Sequence, residues 1–344
     1  MTVRFATQTE IDDWDKLILL NPDGGNVFSS IEFARQKETG GYIAIFLMID
    51  NLAITVLEKN APGMGKLWYI PKGPEVISFK ELWPVLQELE SFAKQYGVFA
   101  LRIEPEIERN QQPTFKRHGL VKSKPIIPNP STITLNISDK LETILINLPQ
   151  KGRYAIKRAL REGVTVEQVK SNEKNCQKMY ELLSVTAKGQ FGIRSYDYYR
   201  TFWQRFETAG YGQLFFAYYD NKVVAGAYAI TFGKKSTYKD GASIRDRNVY
   251  GASHLLQWKV IEWAKSRGVL THDLCGSPPS DEINNPNHQH YGIGLFKTAF
   301  NKNVTDYIGC FDLVINPTKY KVWVNFSEKV AKRLHYYKHH DSYY

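Results

Sequence analysis

Cysteine is scarce in this chain, and what there is comes in an odd number. Cys176, Cys275 and Cys310 cannot form a complete disulfide framework. They also lack metal-ligand spacing, so no metal is expected and a reducing, cytoplasmic setting is. No stretch approaches the roughly 18 uninterrupted apolar residues of a membrane helix, which argues against stable membrane insertion. The first dozen residues are acidic and polar where a secretory signal carries a basic start and an apolar run. There is no G-x-x-x-x-G-K-[ST] loop, no H-E-x-x-H and no G-x-S-x-G, so nothing indicates those three mechanisms. His288 and His290 straddle Gln289, but no Cys, Asp or Glu stands at recognisable ligand spacing around them.

What the chain does have is positive charge and apolar residues. Lys and Arg number 45 against 35 Asp and Glu, a formal net charge of +10, which favours an anionic partner such as nucleic acid or a nucleotide-linked substrate. Hydrophobic residues make up 43% of the chain and aromatics 13%, enough for real cores and against global disorder. At 344 residues two domains fit.

The chain reads as one domain made twice. Asp50-Asn51 sits between apolar runs, and Asp220-Asn221 does the same about 170 positions later. Lys72-Gly73 follows a strand-like run, as Asp240-Gly241 does. Ser91-Phe92-Ala93-Lys94 leads to Gly97-Val98, as Glu262-Trp263-Ala264-Lys265 leads to Gly268-Val269. Constant order at near-constant offset argues for tandem αβ units.

Periodicity predicts first-unit strands at 42–49, 52–58, 67–70, 99–103 and 132–136, with a helix over 79–95. Residues 122–131, with Pro125, Pro128 and Pro130, read as an extended connector. Helices are predicted at 141–162, 174–188, 196–208, 251–267 and 295–300. Second-unit strands are predicted at 214–219, 222–231, 235–238, 270–274 and 307–314. The domains expected are 1–145 plus 317–344, and 146–316. Val322, Phe326, Val330 and Leu334 fall at helical spacing and predict a last helix packing back on the first domain. Strands mixed with helices place the fold in the α/β class.

Three groups of residues carry candidate chemistry. The run 292–300 contains Phe296 and Lys297, read as opening a short helix, where amide donors and a lysine charge would stabilise an oxyanion; the plain alternative is a surface lysine beside core phenylalanines. Arg194 and Tyr198 are four apart at a helix entrance, suited to a diphosphate or carboxylate. Arg153, Lys157 and Arg161 form an i, i+4, i+8 stripe, with Arg158 pairing Arg161 at i, i+3, the pattern of a phosphate-binding face or of a solvated one.

The ordered set of motifs resembles the Fem family of peptidoglycan-bridge aminoacyltransferases. It comprises Asp273-Leu274 with Gly276, the run 292–300, Tyr307-Ile308-Gly309, and Asp312-Leu313-Val314. The basic segment 148–164, Ser29 to Lys37, and Leu101 to Pro105 are also similar to family patterns. Ser29 and Phe33 depart from the family's usual Gln and Trp. The resemblance implies two tandem GNAT-like acyltransferase domains with a C-terminal helix on the first. It implies transfer of Gly, Ala or Ser from aminoacyl-tRNA to the stem-peptide amine of a precursor, either UDP-MurNAc-pentapeptide or a lipid-linked form. No cofactor is implied beyond the tRNA co-substrate, and a monomer is the expected state. By the same resemblance Lys37, Arg194 and Tyr198 match precursor-binding positions, Phe296 and Lys297 match the reaction centre, and Arg153, Lys157, Arg158 and Arg161 match the tRNA-binding helix. Asp273 and Glu104 stay open as possible bases. The interval 174–208 has no room for the coiled-coil arm of bridge-extending members, so the chain resembles the armless, FemX-type ones.

Two other classes compete. A CoA-dependent GNAT acyltransferase needs [QR]-x-x-G-x-[GA], and the nearest run, Asn248-Val249-Tyr250-Gly251-Ala252-Ser253, lacks the Gln/Arg and the last Gly/Ala. A non-enzymatic RNA-binding protein would use the basic helix, yet no RRM, KH or zinc-knuckle pattern is present.

Overall fold

A computed structural model describes residues 1–127, 130–187, 192–244 and 249–344. They form two compact units, Met1–Pro130 with Asp306–Tyr344, and Ser131–Thr305.

The first unit is built on a seven-stranded sheet in the order Val3–Phe5, Ile43–Ile49, Leu52–Ala61, Gly65–Ile70, Val98–Ile103, Phe311–Val314, Val121–Lys122. Its one parallel pair is Gly65–Ile70 beside Val98–Ile103. Parallel neighbours need a crossover, and helix Phe79–Gln95 makes it. The Ser78 hydroxyl caps this helix by accepting the Glu81 amide, and Phe79, Leu82, Val85, Leu86 and Leu89 bury its apolar stripe in the core.

The second unit repeats the plan with six strands: Thr134–Asn136, Thr271–Asp273, Lys235–Ser243, Lys222–Phe232, Gly212–Tyr219, Thr165–Val169. Again one pair is parallel, Lys235–Ser243 with Thr271–Asp273, and helix Ala252–Ser266 crosses between them. Two repeat landmarks have a backbone cause. Asp50 and Asp220 take left-handed φ values of 49° and 50° in matching hairpin turns, which Asp and Asn tolerate. Gly97 and Gly268, at 74° and 77°, end the two crossover helices where a side chain would be strained. The middle landmark fails: Asp240-Gly241 lies inside a strand that continues to Ser243.

Several boundaries differ from the sequence reading. Thr134–Asn136 pairs with Thr271–Asp273, so it belongs to the second sheet and not the first. Phe311–Val314 pairs with Val98–Ile103, so it belongs to the first sheet and not the second. The expected 1–145 and 146–316 are therefore corrected to the two units above. The helix expected at 141–162 is two, Leu141–Asn147 and Gln150–Arg161. Leu148 before Pro149 is extended, as a residue preceding proline tends to be. Strand Thr165–Val169 was not expected. The short helix is Tyr291–Lys297 rather than 295–300. Pro128, part of the expected connector, and Lys188, expected to end a helix, lie outside the described residues, as does Asn248.

The last helical run, Pro317–Val322, Trp323–Ser327 and Glu328–His339, belongs to the first unit. Tyr320, Trp323 and Tyr343 bury it against Ala61, Leu67, Phe99 and Ala100. The expected stripe of Val322, Phe326, Val330 and Leu334 does not pack there; all four are exposed. The π-turn at Trp323–Ser327 alters the helical register, and the large aromatic side chains take the buried face.

Candidate active site

In the second unit the parallel strands pair only through Lys235–Thr271, Ser236–His272 and Thr237–Asp273. Beyond that, one continues along its antiparallel neighbour and the other ends. The carboxyl ends of parallel strands are where α/β sheets commonly admit ligands.

Lys297 reaches this end of the sheet. It is buried, and its ammonium donates to the carbonyls of Cys275 at 2.7 Å and Gly276 at 2.6 Å. Cys275 holds a left-handed φ of 58°, uncommon for a non-glycine residue. Its amide donates to Asp273 Oδ1 at 2.7 Å, and the Thr132 hydroxyl donates to the same oxygen. An ammonium has three donors; two are engaged, which leaves one N–H for a ligand. Burial lowers the Lys297 pKa to about 8, against the opposing pull of Cys275 and Asp273. Lys297 ends its helix rather than opening it, so the first-turn amides expected beside it are at the other end.

Phe296 is half-buried, its ring 5.0 Å from His254, 5.6 Å from Phe300 and 6.5 Å from Tyr238. His254 Nε2 has no hydrogen-bond partner among the described residues, and burial, helped by Lys151, lowers its pKa to about 4. Tyr238 is shifted upward by burial and then by Asp240. The sequence reading missed His254 and Tyr238. Only the position of His254 just after Gly251, at the start of the crossover helix, signalled it.

Both carboxylates left open as bases already accept hydrogen bonds. Asp273 takes the bonds above. In the first unit, Glu104 accepts the Tyr69 hydroxyl at 2.7 Å and the amides of Ile126 and Ile127.

The basic helix Gln150–Arg161 is seated beside the Lys297 helix. A Cβ on Gly152 would lie 1.9 Å from the Ala299 carbonyl oxygen, so only glycine permits this approach. Lys151 Nζ donates to the Leu295 carbonyl at 3.5 Å. Arg153 does not join the expected outward stripe: its guanidinium donates to the Ile146 and Leu148 carbonyls at 2.6 and 2.5 Å. Pro149 breaks the preceding helix and leaves those acceptors to be satisfied. Arg158 pairs with Glu162 and covers the Tyr250 ring. Lys151, Lys157 and Arg161 carry the exposed charge.

Arg194 and Tyr198 do meet, the guanidinium 4.4 Å from the ring centroid. The Ser195 hydroxyl caps helix Tyr196–Thr208 by accepting the Tyr198 amide, and the Tyr180 hydroxyl donates to the Arg194 carbonyl. In the first unit, Lys37 is buried on helix Ile31–Glu38 with its ammonium about 5.5 Å from the rings of Phe33 and Tyr42. Among the described residues there is no group of three or more His, Cys, Asp or Glu fit to hold a metal, and no helix long and apolar enough to cross a membrane.

Known proteins share the family and the fold of this chain. The FemAB family matches residues 127–222 and 211–328. The lipid II:glycine glycyltransferases of Staphylococcus haemolyticus and Staphylococcus aureus are each 22% identical, over 93% of this chain and 94% of theirs. The first of these alignments runs over 412 positions, more than this chain contains, so that relative carries segments this chain lacks. Among solved structures, FemX superposes with a TM-score of 0.79 at 19% identity, over 95% of this chain and all of FemX. L-PGS from Bacillus licheniformis shares the fold more distantly, with a TM-score of 0.53 at 12% identity, over 91% of this chain and 93% of its own. The fold is α/β with two tandem GNAT-like domains.

Proposed function

The chain belongs to the FemAB family of aminoacyltransferases, and from that premise we propose that it transfers a small amino acid, Gly, Ala or Ser, from aminoacyl-tRNA to the stem-peptide amine of a peptidoglycan precursor in the cytoplasm. The observation that carries the reading is Lys297, a buried ammonium held by two carbonyls with one donor uncommitted.

The aminoacyl ester arrives activated, so the protein has to position it and stabilise the charge of addition. The amine attacks the ester carbonyl carbon, and its oxygen becomes the oxyanion that the remaining Lys297 N–H receives. Collapse of the tetrahedral adduct forms the amide bond and expels the tRNA's terminal ribose oxygen, which takes up the proton lost by the amine. Phe296 supplies an apolar wall beside the reacting ester. No cofactor is needed for this chemistry. Lys151, Lys157 and Arg161, on the helix beside the Lys297 helix, meet the tRNA phosphates. Arg194, oriented over Tyr198, takes the precursor's diphosphate, and Lys37, in the first unit, is a separate candidate for binding the precursor.

The decisive assay offers a panel of charged tRNAs to the enzyme with UDP-linked and lipid-linked precursors in parallel. Transfer that depends on both partners is expected. Acetyl-CoA turnover without tRNA would overturn the reading, as would RNA binding with no transfer to any precursor.

A further inference from the structure

Among the described residues, the last helical run has one face left exposed. Val322, Phe326, Val330, Leu334 and Tyr337 are all exposed, Phe326 at 66% and Leu334 at 64%. Val330, Leu334 and Tyr337 recur every three to four residues along Glu328–His339, so they share one face of that helix, and Val322 and Phe326 are exposed ahead of it across the π-turn. The inward face is already filled by Tyr320, Trp323 and Tyr343. The stripe is therefore not a core surface awaiting closure within this unit's own packing. Scattered exposed apolar residues need no explanation, but a contiguous line of them does.

The polar residues beside the stripe are of one sign. Lys321, Lys329 and Arg333 each directly precede a stripe residue and are exposed with it, and Lys319 and Lys338 flank the two ends. The helix's single acid, Glu328, is turned inward, with contacts to Arg102, Lys332 and the Tyr344 hydroxyl. The outward face thus combines aromatic and aliphatic side chains with uncompensated cations. This is the pattern of a helix lying in the plane of a membrane interface, its apolar side among acyl chains and its cations among phosphates. We propose that this helix docks the protein peripherally on an anionic phospholipid surface. The charge complementarity selects that occupant over a neutral protein groove, and the helix is too polar to span. The inference rests on this surface alone and is independent of which acceptor the enzyme uses.

The test uses the full chain and vesicles free of any peptidoglycan precursor. Flotation with phosphatidylglycerol-rich vesicles should recover the protein, recovery should fall with added salt, and pure phosphatidylcholine vesicles should recover much less. Phe326→Ser with Leu334→Ser, and separately Lys329→Glu with Arg333→Glu, should each lower partitioning at least about tenfold. All four side chains are exposed, so thermal melting should be unchanged. Equal recovery by both lipids, or full recovery of both variants, would overturn the proposal. So would a concentration-dependent dimer dissolved by the serine pair, which would make the stripe an interface between copies of this chain.

Discussion

Lys297 is a lysine whose charge is expensive to keep. With its pKa lowered to about 8 by burial, the cation fades as pH rises through that value. Lys297→Ala should lower turnover by roughly 10²–10³, the range for losing one oxyanion donor. The attacking amine gains reactivity with pH, so the informative quantity is the ratio of wild-type to variant turnover, which should shrink above about pH 8. Stability should move the other way. The unfolded lysine keeps its proton to about 10.5, so between the two values the unfolded state binds more protons and folding gains with rising pH. A shrinking ratio while the melting temperature holds or rises identifies chemistry rather than denaturation; a pH-independent ratio would remove Lys297 from the reaction. A second residue-scale test concerns the precursor. Arg194→Ala should raise its KM about 10- to 100-fold, equivalent to about 1.5–3 kcal/mol for a charge-assisted contact, with kcat little changed. Lys37→Ala should act in the same direction. Titration with unchanged affinity in the Arg194 variant would place the diphosphate elsewhere, and unchanged affinity in the Lys37 variant would remove Lys37 from precursor binding.

Among the elements, the basic helix shows both the reach and the limit of reading spacing. Intervals of four put Arg153, Lys157 and Arg161 on one stripe, and two of the three are exposed as that spacing requires. Arg153 departs because the break at Pro149 leaves carbonyls whose need for donors outranks solvent. Helical spacing alone does not register such a local demand. The same holds at Lys297, where its nearness in sequence to Gly292 and Gly294 was legible but its place at the helix end was not. The partnership with Cys275 and Gly276 joins residues about twenty positions apart through an irregular loop. The helix can be dissected accordingly. Lys157→Ala with Arg161→Ala should flatten the salt dependence of tRNA affinity by roughly 0.7–0.9 per lost phosphate contact, with precursor affinity barely changed. Arg153→Ala should leave that slope alone and lower stability by about 1 kcal/mol, since its bonds hold a half-buried helix end. Parallel salt lines for the double variant would return this helix to a solvated face.

For the molecule as a whole, the doubling was legible because turns and helix ends carry local signals: Asp at the hairpins, Gly at the helix stops. Where each unit closes was not, because strand pairing is non-local and a short strand carries no mark of its partner. Arg102 and Asp312 show what was hidden. Each sits in a motif that resembled the family's, far apart in sequence, and neither motif hinted at the other. In the fold they face each other in register on neighbouring strands. Arg102 Nε donates to Asp312 Oδ1 at 2.7 Å and its Nη2 to Oδ2 at 2.9 Å. The Tyr320 hydroxyl donates to the same carboxylate at 2.8 Å, so one buried group joins two sheet strands and the last helical run. These motif residues therefore serve the architecture of the first unit rather than the chemistry of the second. Removing the Asp312 charge leaves buried Arg102 with the more distant Glu328, 3.6 Å away, and breaking such a buried pair costs about 3–5 kcal/mol. Asp312→Asn keeps the shape and removes the charge. It should cost about that much in denaturant unfolding, and amide exchange should speed up in Val98–Ile103 and Leu52–Ala61 while strands Gly212–Tyr219 and Lys222–Phe232 keep their protection. Equal loss of protection in both sheets would mean that the two units unfold as one. No loss in either would mean that the pair is replaceable and that the strand from the far end of the chain is held by its backbone ladder alone.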